Sequence, residues 1–278
     1  MTHNNRGFVL KDLGRYEDAL AAFEEAIRLN PEYANAHINK GNALSELKRY
    51  DEAVKAFDAA ISINPEDALA HYGKGITLCC LGCNEEAVAA YEEAIRINPE
   101  YVKAHNNKGV VLNDLGRYEE ALAAYEEAIR LNPEYVEVHN NKGNVLNNLG
   151  HYEEALVALE EALRRNPEYA PAHKNKGNAF RRLGRSEEAV AAYEEAIRLN
   201  PEDADAHYWK GNALSDLGRN EGAVAAYEEA IRLNPEHAKA YYRKGVVLSK
   251  LGCHNEAVEA LNEAIGLNSG DAKAHFSL

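Results

Sequence analysis

The sequence predicts an all-α chain in which about eight two-helix units repeat in tandem, and three observations predict it. Glycines recur 34 residues apart at Gly7, Gly41, Gly75, Gly109, Gly143, Gly177, Gly211 and Gly245. Prolines keep the same period from Pro31 to Pro235, with Ser269 standing where an eighth would fall. Ala, Glu, Leu and Asn dominate while β-branched runs are nearly absent, a balance that favours helix over strand. A fixed period of this size means units that cannot bury an apolar face alone and therefore stack.

The fourth unit shows why each element forms. The spacing predicts a first helix over Ala104 to Leu115, a turn at Gly116-Arg117 and a second helix over Tyr118 to Asn132, ended by Pro133. Proline cannot continue a helix and restricts the residue before it. Ala121, Leu122, Tyr125, Ala128 and Ile129 fall on one face of the second helix, and Glu126, Glu127 and Arg130 fall outside it. Counting each unit so that the glycine is position 8 and the proline position 32, positions 20 and 27 are always Ala, where small residues let helices approach closely. Position 24 is always large: Phe23, Phe57, Tyr91, Tyr125, Leu159, Tyr193, Tyr227 and Leu261.

Aromatic, Leu-Gly, aromatic, Ala, aromatic, Ala, Pro at this period resembles the tetratricopeptide repeat over essentially the whole chain. The resemblance implies a right-handed α-α superhelix with units at 1–33, 34–67, 68–101, 102–135, 136–169, 170–203, 204–237 and 238–271. Residues 272–278 then begin a partial helix of a ninth. The first unit starts at its second position and no polar capping helix is visible. These ends suggest a segment of a longer array, the substrate-recruiting arm of a larger enzyme, or ends that self-associate.

The same resemblance implies that positions 2, 5, 6, 9, 12 and 13 of each first helix line a groove for protein or peptide ligands. Position 6 carries Asn5, Asn39, Asn107, Asn141 and Asn175, interrupted by Gly73, Trp209 and Arg243. An amide offers one acceptor and two donors, which suits an extended peptide backbone. The run is similar to the asparagine ladder in the superhelix of O-linked N-acetylglucosamine transferases, whose transferase domains have no counterpart here. The other reading is that Asn serves packing or solubility at this position. Some co-chaperones of the family hold a C-terminal carboxylate with Lys and Asn, then Asn, then Lys and Arg on successive first helices. Lys174 and Asn178, Trp209 in place of the middle Asn, and Lys239 and Arg243 follow that order. Two cations with amide support would bind a carboxylate, and Trp209 would pack an apolar side chain. Adding Arg181, Arg182 and Lys250 against Asp205 and Asp216 makes this half locally basic, which points to an acidic peptide.

Other patterns carry less. Histidine recurs at position 4, but neighbouring helices lie roughly 8–10 Å apart and Zn–N bonds are roughly 2 Å. A packing role is expected there, with no metal site. Cys80-x-x-Cys83 lacks the second pair that a closed tetrahedral site needs, and reduced thiols are expected at Cys79, Cys80, Cys83 and Cys253. Pairs such as Glu24-Glu25, Glu92-Glu93 and Glu126-Glu127 are expected on a wet surface, outside the desolvated cleft that acid–base catalysis requires. No catalytic site and no cofactor are expected. The net charge of −14 is the wrong sign for a surface tracking nucleic acid. No apolar run is long enough to span a membrane and no signal-peptide core is visible, so a cytoplasmic setting is expected.

Overall fold

A computed structural model describes residues 2–275, with side chains as far as 267. Among the described residues it is all-helical. The chain divides into two compact units, 1–133 and 134–278.

In the first unit, α1 (Thr2–Asp12) pairs with α2 (Tyr16–Leu29), and α3 (Ala34–Glu46) with α4 (Tyr50–Ile63). They are followed by α5 (Ala68–Cys80) with α6 (Asn84–Ile97), and α7 (Val102–Asp114) with α8 (Tyr118–Leu131). The second unit repeats the scheme with α9 (Val136–Leu149) and α10 (Tyr152–Arg165), then α11 (Ala170–Arg182) and α12 (Ser186–Leu199). It continues with α13 (Ala204–Asp216) and α14 (Asn220–Leu233), then α15 (Ala238–Lys250) and α16 (His254–His275). Within each unit every helix packs on the next, and successive first helices also touch one another.

The expected boundaries shift slightly. Helix α7 begins two residues before Ala104, and it stops before Leu115 because Gly116 turns left-handed at φ 73°. The N–H groups of Gly116 and Arg117 bond the carbonyls of Asn113 and Leu112 at 3.0 and 2.8 Å, satisfying the orphan acceptors of the last turn. Helix α8 ends one residue early because Asn132, ahead of Pro133, is extended. Helix α16 is different: with serine rather than proline at 269 nothing interrupts it, and it runs to His275. The expected partial ninth-repeat helix is therefore continuous with α16 as far as 275, and 276–278 lie outside the described residues.

The repeating glycine has a steric cause. A Cβ on Gly109 would lie 2.6 Å from Cε1 of Tyr125, and one on Gly7 2.5 Å from Phe23. The position-24 side chain thus occupies the space that a side chain at position 8 would need, and Phe23, Tyr125 and Tyr227 are fully buried there. The alanines at positions 20 and 27 line the same seam, with Ala121 and Ala128 wholly buried. Burying each such aromatic contributes roughly 1.5–3 kcal/mol.

The histidines lock neighbouring repeats together. Nε2 of His37, His71, His105, His173 and His207 donates to the carbonyl of the proline six residues earlier, at 3.0, 3.0, 2.9, 2.8 and 3.1 Å. The paired glutamates are engaged as well. Glu24 meets Lys40 at 2.9 Å and Glu25 meets Arg28 at 2.7 Å, and Glu92 and Glu93 meet Lys108 and Arg96 in the same way. The Arg28 guanidinium holds the Glu25 carboxyl below its ordinary range. Cys79 lies 3.5 Å from the Tyr91 hydroxyl, and burial pushes its thiol up.

Candidate functional site

The expected site residues lie on the first helices of the repeats, and their amides do more between helices than the sequence suggests. In the first unit Asn39 donates through Nδ2 to Oδ1 of Asn4 at 3.0 Å, and Asn107 donates to the Tyr72 hydroxyl at 3.1 Å. In the second unit Asn175 donates to Oδ1 of Asn140 at 2.9 Å, and Asn140 donates to Oδ1 of its neighbour Asn141 at 3.3 Å. Where a position-6 amide bridges repeats, it reaches position 5 of the preceding repeat. These amides thus bond between repeats through their donors. The acceptor oxygens of Asn39 and Asn175 keep no partner among the described residues.

Position 9 exposes an apolar strip in the first unit, with Phe8, Ile76 and Val110 at 47%, 38% and 37% exposure. Beside it lies a cavity of about 690 Å³ whose walls include Asn42, Ser45, Tyr72, Gly73, Ile76 and Thr77. At Gly73, which interrupts the asparagine run, a Cβ would stand 2.5 Å from the Phe57 ring. The Thr77 hydroxyl caps this wall by donating to the Gly73 carbonyl at 2.9 Å.

In the second unit the expected five-residue carboxylate clamp is not assembled as the sequence order suggests. Lys174 is spent on Asp203, Nζ to Oδ2 at 2.7 Å. Asp203 is itself fixed, since its other oxygen accepts from the backbone N–H of Ala206 and caps α13. The Tyr193 hydroxyl donates to Oδ1 of Asn178 at 2.7 Å. Both are thus internal anchors, because position 34 of the repeat supplies an acid that a count of groove positions leaves out. Lys239 and Arg243, by contrast, are exposed and form no ion pair among the described residues, and the same holds for Arg182 and Lys250. Trp209 is half-buried against Tyr208, ring centroids 4.9 Å apart, with the Arg181 guanidinium over it at 5.2 Å. Arg181 also reaches Asp216 at 3.4 Å.

Sequence reasoning missed the partners rather than the positions. Asn4, Asn106 and Asn140 recur at position 5, directly before the asparagine run, and that adjacency was the available signal for inter-repeat bonding. The tyrosine hydroxyls had a signal too: Tyr193 and Tyr227 each sit fifteen residues after an Asn at position 9 and bond it.

Models of the tetratricopeptide repeat match the chain at 6–68, 47–78, 136–169 and 238–271. A further model described as TPR repeat matches at 77–114, 109–150, 177–218 and 211–252, more than half of the sequence. No curated protein matches the chain. Among solved structures, YrrB, described as a TPR protein with an unusual peptide-binding site, is 29% identical with a TM-score of 0.57 and covers 66% of this chain and 95% of its own. MamA from Desulfovibrio magneticus is 25% identical over 61% of this chain and 96% of its own, TM-score 0.55. A tetratricopeptide repeat protein from Parabacteroides merdae shares the fold at 17% identity, covering 95% of this chain and 98% of its own with a TM-score of 0.70. No helix of the described residues is long and apolar enough to cross a membrane.

Proposed function

Because the chain belongs to the tetratricopeptide-repeat family, we propose that it is a protein-interaction scaffold whose first helices hold an extended peptide, with an acidic stretch of that peptide lying on the second unit. The observation that carries the reading is the set of cations there. Arg182, Lys239, Arg243 and Lys250 lack a counter-ion among the described residues, in a chain of net charge −14. Arg182 on α11 and the other three on α15 offer opposite charge to an anionic ligand. The peptide-binding description of YrrB supports the ligand class. The free amide oxygens of Asn39 and Asn175 suit peptide N–H groups.

Internal acidic side chains fit this surface better than a chain terminus does, since Lys174 and Asn178 are already committed. An array of extended peptides with free and amidated C-termini, probed with the intact protein and with Lys239→Ala/Arg243→Ala, tests this. Acidic peptides should bind whether or not the terminus is amidated, and the double variant should lose them. Binding that requires the free carboxylate would restore the terminal clamp, and binding indifferent to peptide charge would overturn the acidic reading.

A further inference from the structure

Two ion pairs between first-helix cations and nearby acids in the second unit differ in quality. Lys174 and Asp203 meet at 2.7 Å, and Asp203 is anchored by its capping bond. Arg181 Nη1 and Asp216 Oδ2 stand 3.4 Å apart, beyond the usual range of an N–H···O bond, and the Asp216 side chain is 48% exposed. Only one oxygen of Asp216 engages a guanidinium built to take two. Nε of Arg181 is buried with no acceptor. Nδ2 of Asn212 is buried and unpaired too, its Oδ1 being taken by the Tyr227 hydroxyl at 3.1 Å. The Tyr227 phenol is pushed up chiefly by burial, pulled down by Arg243 and Arg181, and raised by Tyr208 and Asp216.

We infer that Arg181, its guanidinium carbon 5.2 Å from the centre of the Trp209 ring, is the carboxylate-recognising residue of this surface, and that Asp216 is a resident competitor which an acidic side chain of the peptide displaces. This rests on the acidic-peptide reading above and deepens it. The exchange replaces one carboxylate by another, so the guanidinium is never left uncompensated in a partly buried place. A ligand carboxylate gains because it can take the bidentate geometry that Asp216 does not reach. A neutral amide in the ligand cannot drive the exchange, so Asp216 makes the surface selective for acids over their isosteres. Trp209 holds the guanidinium by a cation–π contact, which gives the departure from asparagine at this position a role beside Arg181.

The test uses the full chain and two fluorescein-labelled dodecapeptides, one alternating Glu and Ser and one alternating Gln and Ser, with affinity read by anisotropy. Asp216→Asn should tighten the Glu peptide about three- to fivefold and leave the Gln peptide unchanged. Asp205→Asn removes the same charge from an exposed acid on the same helix, away from Arg181, and should do less. In Arg181→Gln the gain from Asp216→Asn should vanish, a non-additivity that a general charge effect does not give. Equal gains from Asp216→Asn and Asp205→Asn, or no gain from Asp216→Asn while the unaltered protein binds the Glu peptide, overturn the competitor and leave the acidic-peptide reading standing. Failure of both the unaltered protein and Asp216→Asn to prefer Glu over Gln overturns both. Circular dichroism on each variant confirms that a lost affinity is not a lost fold.

Discussion

Lys48 occupies the turn position that glycine fills in the other repeats, and it does so at φ 59°, where Gly14, Gly116 and Gly184 sit at 73°, 73° and 74°. A left-handed residue with a Cβ costs roughly 1–2 kcal/mol, partly offset because glycine frees the unfolded chain. Lys48→Gly should therefore stabilise the protein by about 1 kcal/mol, read as a raised urea midpoint with an unchanged slope. Charge acts at the same scale. Arg164 and then Arg165 hold the Glu161 carboxyl down at about 2, against an ordinary 4.5. A depressed folded pKa gives stability that is complete above pH 4.5 and lost as pH falls toward 2. Between those limits the melting temperature of the unaltered protein should fall faster than that of Glu161→Gln, by a small margin given the solvent screening. Parallel acid profiles for the two would show that the pair contributes nothing.

The pairing of helices turns one substitution into two opposite outcomes. Gly109 lies under Tyr125, and a Cβ would press to within 2.6 Å of the buried ring. Gly222, in the first turns of α14, would place its Cβ 3.5 Å from Leu214, an ordinary contact. Gly109→Ala should destabilise by roughly 1–3 kcal/mol through overpacking, whereas Gly222→Ala should stabilise by up to about 1 kcal/mol through helix propensity. Chemical denaturation of the two variants checks the pair, and a shared sign would mean that propensity, not the ring, decides position 8. This contrast also shows what was legible. The 34-residue clock, the turn glycine and the position-24 aromatics are local or strictly periodic signals, so the helix pairs could be read from them. The end of α16 could not, because replacing proline by serine at 269 removes the stop without stating where the next one lies. Nor could the loss of Lys174 and Asn178 to internal partners, since Asp203 and Tyr193 reach them only after the helices pack.

Over the whole molecule the charge is strongly negative, at −14, yet four exposed cations without an ion pair among the described residues, Arg182, Lys239, Arg243 and Lys250, lie on first helices of the second unit. Repetition explains the background: the glutamates of the second helices recur in nearly every unit and are largely matched by lysine and arginine at short range, as in Lys210–Glu194 and Arg198–Glu195 at 2.8 and 2.6 Å. The repeat departs from itself at Trp209 and Arg243, and these departures were visible in the sequence while the Arg181 contact of Trp209 was not. A site made of exposed cations has a definite ionic signature. Raising salt from about 0.1 M to about 1 M shortens the screening length from about 10 Å to about 3 Å, so attraction between an acidic peptide and Lys239 or Arg243 should fade while short contacts to the asparagine amides persist. Affinity for the alternating Glu-Ser peptide should drop on the order of tenfold over that range, mostly through slower association, and affinity for the Gln-Ser peptide should barely change. Stopped-flow anisotropy at several salt concentrations separates the two rates. A Glu-Ser affinity that stays level would mean that the backbone amides, not the cations, hold the ligand, and the asparagine run would then be the principal site.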